Sequence, residues 1–122
     1  MANNAIQAES LQHKVLKLIP MTIGWSAGTP SVLWNPENEA VTLTDNGAGD
    51  LTITFSVASL VPLKVLGHML EVADANTLSL ECNIDGAPST TVLKIVANSG
   101  ADGATETDPV ALHLLVGKYV VA

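Results

Sequence analysis

The sequence contains no arginine, a single cysteine and few rings. Its basic residues are five lysines, and aromatic residues make up 3% of 122. Without arginine there is no forked cation to grip a phosphate, and a net charge of -7 leaves no basic stripe to track a nucleic-acid backbone, so nucleic acid is not an expected partner. The few rings leave little for base stacking. Cys82, being alone, can form no disulfide within the chain, and the alternation around it places it as a small core residue between Leu80 and Ile84. The N-terminus, MANNAIQAES, lacks the basic flank and apolar run of a secretory signal. The longest uncharged run, Leu18 to Pro36, is broken by prolines and glycines and does not read as a membrane span, so no membrane is expected as a partner and the chain reads as soluble.

Charge is scarce as well. Charged residues are 14% of the chain against about 25% in ordinary soluble domains, while 48% are hydrophobic. A surface so poor in charge implies cover from other subunits, or else a monomer coated with Thr, Ser and Asn.

What the chain does have is alternation. Val41 and Leu43 alternate with threonines, and Leu51, Ile53 and Phe55 do the same after the turn Asp45–Asp50, whose Gly47 and Gly49 can adopt positive φ. This spacing predicts an antiparallel hairpin. Thr77–Ile84 alternates too, and Asp85-Gly86 leads it into a further strand at Thr90–Ala97. His13–Ile23 has both helical spacing and β-branched residues with Pro20, and is assigned as strand. Gly24–Asn38, with two prolines and both tryptophans, is expected to be a long loop with one short strand at Ser31–Leu33.

Two segments are apolar on both sides. In Lys64–Val72, Leu66, His68, Leu70 and Val72 fall on one face and Val65 and Met69 on the other; in Val110–Val121, Leu112, Leu114 and Val116 oppose Ala111, His113 and Leu115. Strands of this kind are expected to be covered on both faces. Asn98–Asp108 reads as an acidic loop. The resulting fold class is all-β: a two-sheet antiparallel β-sandwich, jelly-roll-like, of about eight strands, with residues 1–12 as a short N-terminal arm and 13–122 as a single domain.

No constellation argues for catalysis, and no enzyme is expected. Gly24-Trp25-Ser26-Ala27-Gly28 fits G-x-S-x-G, but Gly28, Thr29 and Pro30 cannot open the helix that a nucleophile elbow requires, so a glycine-bounded turn is the better reading. His13, His68 and His113 form no local ligand pair, and Asp45, Asn46 and Asp50, or Asp102, Glu106 and Asp108, read as solvated turns rather than calcium loops. No metal or cofactor is expected. Trp25 and Trp34 either form a ligand platform, cap an open end of the sandwich or pack on a partner.

The segment TLTDNGAGDLTITFS, the apolar VLGHMLEV and the closing DPVALHLLVGK resemble β-sandwich modules of tailed-phage particles: capsid decoration (cement) proteins, head fibres and tail-fibre tips. The likeness is specific at residues 41–56 and 109–118, with Leu51 and Leu114 where those modules often carry an aromatic residue. It implies a jelly-roll-like homotrimer, made in the host cytoplasm and placed on the capsid surface, with the major capsid protein lattice as partner and no catalytic residues. Because so little chain precedes the sandwich, the resemblance is read as a small independent subunit. The two apolar segments would then hold the subunit interface, with Leu66, His68, Leu70, His113, Leu115 and Tyr119 as candidates. Trp25 and Trp34 would face the partner. The alternative is a receptor- or glycan-binding tip of a fibre or spike.

Overall fold

The computed structural model describes residues 14–71, 80–99, 105–106 and 108–121, and these contain strands and turns but no helix. In chain order the strands are β1 (Lys14–Ser26), β2 (Thr29–Trp34), β3 (Val41–Gly47), β4 (Asp50–Phe55), β5 (Lys64–Glu71), β6 (Leu80–Ile84), β7 (Val92–Ser99), β8 (Thr105–Glu106) and β9 (Ala111–Val121). They form the expected antiparallel sandwich. One sheet, A, runs β2-β1-β9-β5; the other, B, runs β3-β4-β7-β6, with the two-residue β8 paired to the end of β7. The first long strand lies beside the last, while β1–β2, β3–β4 and β6–β7 are hairpins of sequence neighbours.

The core follows from the alternation. Ile19, Met21 and Ile23 of β1 and Leu112, Leu114 and Val116 of β9 face Leu51, Ile53 and Phe55 of β4 and Leu93 and Ile95 of β7, all essentially without solvent contact. Each such side chain contributes about 1.5–3 kcal/mol by leaving water. Pro20 is tolerated within β1 because β2 pairs only from Thr22 onward, leaving that stretch with β9 as its sole neighbour.

The expected loop at Gly24–Asn38 is instead a hairpin. β1 continues through Gly24, Trp25 and Ser26, and Ala27 and Gly28, at φ 50° and 82°, make the two-residue turn whose twist matches that of the flanking strands. The G-x-S-x-G match is therefore a hairpin tip. Pro30 causes no break because β2 is an edge strand.

The two apolar segments also part company. β9 is central in sheet A, whereas β5 is an edge strand with most of its side chains exposed. A bulge between Val65 and Gly67 resets its alternation. Val65, His68 and Leu70 consequently lie opposite Val116, Leu114 and Leu112 on the core side, while Leu66 and Met69 lie outward, Met69 opposite His113. The expected grouping of Leu66 with His68 and Leu70 is thus corrected by one extra residue. Val72 and the arm at residues 1–12 lie outside the described residues.

Candidate functional site

The two outer faces of the sandwich differ sharply. On sheet B the cross-strand pairs are Thr42 with Thr54 and Thr44 with Thr52, continued by Lys94 opposite Thr52 and by Asn83 on β6. Threonine pairs of this kind suit water on one side and ladder neighbours on the other. Sheet A presents leucines there instead. Leu16 and Leu18 of β1, Leu33 and Trp34 of β2, and Leu66 and Met69 of β5 are each 44–64% exposed. They form an apolar band across the sheet, with the half-buried Pro20 and Leu115 between them.

Two bulges build the band. β2 carries an extra residue between the partners of Thr22 and Ile23, and β5 carries one between Val65 and Gly67. Each places a leucine outward over a glycine of a central strand: a Cβ on Gly24 would meet Leu33, and one on Gly117 would meet Leu16 and Leu66. Edge strands often use bulges to bend away from neighbours. Here the bulges also enlarge an apolar surface.

Within the band lies a shallow groove lined by Pro20, Thr22, Trp34, Gly67, Met69 and His113. Thr22 Oγ1 is 3.0 Å from His113 Nδ1, and His113 Nε2 is 3.3 Å from Glu71 Oε1. With Nε2–H donating to the carboxylate, Nδ1 accepts the threonine hydroxyl, which links β1, β9 and β5 side chain to side chain. The order hydroxyl, imidazole, carboxylate is that of an activated nucleophile. Yet Thr22 sits in mid-strand between two paired neighbours, where the ladders occupy the backbone N–H groups that an oxyanion would need. As placed, the three groups act as a cross-strand clamp.

The sequence-predicted residues divide accordingly. Leu66, His113 and Leu115 come together on the outer face of sheet A, and Tyr119, opposite Leu16, belongs to the same face. Leu70 does not join them and packs against the core, while His68, opposite Leu114 by register, remains exposed and lines the edge of the groove. The tryptophans split between the alternatives left open for them: Trp25 packs on the core at the end of the sandwich, and Trp34, 54% exposed, stands on the outer band.

Two polar features have no forerunner in the sequence reading. Lys118, only 3% exposed, points into the end of the sandwich, where its ammonium donates to Glu39 Oε1; Lys17 Nζ donates to Glu39 Oε2 at 3.1 Å. Glu39 is delivered by a tight loop in which the Asn35 side chain bonds both the N–H and the C=O of Glu39. Burial alone would raise the Glu39 pKa, but the hydrogen bonds and charges of Lys118 and Lys17 more than offset it and hold the carboxyl below its ordinary value. The Lys118 ammonium also lies 5.9 Å from the centre of the Phe55 ring.

The second feature joins the two stretches on which the phage resemblance rests. Gly49, buried at φ 71°, donates its N–H to Asp108 Oδ1 at 2.6 Å, and its C=O accepts from Ala97 N–H. Asp45 Oδ1 accepts the Gly47 N–H within the same turn. Asp45 and Asp108, both weighed as calcium ligands, thus bond turn backbone. Among the described residues no group of three or more acidic, histidine or cysteine side chains is placed to hold a metal.

Comparison of the chain with protein-family models, curated proteins and solved structures gave no match.

Proposed function

We propose that this chain is a structural subunit of a tailed-phage particle, a capsid decoration protein that works as an oligomer of its own chain and binds the assembled head. The modules it resembles imply a homotrimer. The observation that carries the reading is the contrast between the outer faces: a threonine face suited to water on sheet B, and a leucine band on sheet A that a lone subunit would leave in solvent. Asp108 bonding Gly49 gives the two motif stretches a shared structural task.

A subunit that binds only the assembled lattice adds its binding free energy to the shell, RT ln(1 + [L]/Kd) for each site. Linked copies strengthen this, since seating one raises the effective concentration of the others. Purified protein mixed with undecorated heads should add stoichiometric, symmetry-related density and raise the temperature at which the heads open. Heads that stay bare at saturating protein would refute the reading.

The fibre-tip alternative draws on Trp34, whose ring stands beside the Thr22–His113–Glu71 clamp as an aromatic wall beside polar groups, a layout that suits a sugar ring. On that reading a glycan array shows selective binding that Trp34→Ala abolishes and that Trp25→Ala affects only through stability. Decoration without a receptor role predicts an array with no selective signal.

A further inference from the structure

The leucine band gathers six large apolar side chains, each about half exposed, on one face, where a lone subunit usually scatters such residues singly. The charges on this face are also ordered. Lys14 and Lys64 lie at one end, beside Leu16 and above Gly117, and Glu71 lies at the other, opposite Ala111. Along β5 the separation from Lys64 to Glu71 is roughly 23 Å. The face is therefore cationic at one end, apolar in the middle and anionic at the far end.

We infer that the occupant of this face is a second copy of the chain, docked sheet A to sheet A about a two-fold axis normal to the strands and lying between the sheets near Leu115 and Pro20. Such an axis reverses strand direction, so Lys64 of each copy meets Glu71 of the other while the leucine bands stack. This is the self-complementarity that an isologous contact demands. Three copies around an axis would divide the band between two neighbours, leaving each contact about half the area. Among the described residues the sheet B face, with its threonines, offers no second apolar band for a head-to-tail contact. Gly67, in mid-face on β5, leaves open space where a side chain would otherwise hold the copies apart.

The inference rests on the self-association in the proposed function, names the face, and replaces the three-fold that the resemblance implies with a two-fold. The test is the mass of the full chain in solution by light scattering, read beside its far-UV spectrum and melting temperature. We expect an even number of copies. Met69→Lys and Leu18→Lys, at exposed positions, should give folded monomers, whereas Thr44→Lys on sheet B should leave the mass unchanged. Lys64→Glu alone and Glu71→Lys alone should each weaken association about ten-fold, and the double exchange should restore most of it, because both intersubunit pairs re-form with reversed sign.

A three-copy mass would overturn the two-fold and leave the decoration reading standing. A single-copy mass would overturn self-association, while head binding would then be judged by the density experiment alone. An even mass with no rescue by the double exchange would overturn the proposed register.

Discussion

Replacing Glu39 by alanine is expected to lower the unfolding free energy by about 3–5 kcal/mol, because it leaves the Lys118 ammonium buried with no partner. The cost arises from the stranded cation and only in small part from the lost attraction. Lys118→Met, which removes the charge, keeps the stem that fills the same space and leaves Glu39 its bond to Lys17, should cost less, and Glu39→Ala combined with Lys118→Met should recover most of the Glu39→Ala loss. Denaturant titrations of the three proteins would check this. A double variant as unstable as Glu39→Ala would show that the glutamate acts through packing.

The same cluster sets an acid limit. The folded-state pKa of Glu39 is depressed, so its contribution to stability is fully present above the unfolded carboxyl value and is lost as pH falls through the lower folded value. Stability should therefore decline below about pH 4.5. Part of that decline should vanish in Glu39→Gln, measured as the slope of unfolding free energy against pH.

Much of the sandwich was legible because burial on one face forces a period of two. Val41–Phe55 and the hairpin after Asp85 could be read from that alternation, and the core they predict is the core that forms. The β1–β2 hairpin was illegible for a compositional reason: Gly24, Gly28 and Pro30 signal a loop in isolation, but an edge strand tolerates Pro30, and Gly24 is where Leu33 crosses. Bulges defeat periodicity outright. A single extra residue at Leu66 moved His68 and Leu70 to the opposite side of the sheet from Leu66, so of the candidate interface residues Leu66, His113, Leu115 and Tyr119 share one outer face and those two do not. Glu39 was invisible because nothing about a glutamate between an asparagine and an alanine says that two lysines far along the chain converge on it. Register alone, which sets Lys17 beside Lys118, reveals the need for an anion there.

Asp108→Ala should cost about 1.5–3 kcal/mol, the range for a hydrogen bond to a charged group whose removal strands a buried donor. Gly49 cannot turn its N–H to water, since its position is fixed by the positive φ of the turn and by its carbonyl bond to Ala97. Asp108→Asn keeps an acceptor oxygen and should cost less than half as much. The loss should also be local. Hydrogen exchange should quicken at Gly49 and Ala97 in Asp108→Ala and stay unchanged at Ile19 and Leu112, whose ladder between β1 and β9 lies in the other sheet. Uniform quickening across both sheets would instead mean that the turn at Ala48 and Gly49 is integral to the whole sandwich, with Asp108 as its fastening to β9, a central strand of sheet A.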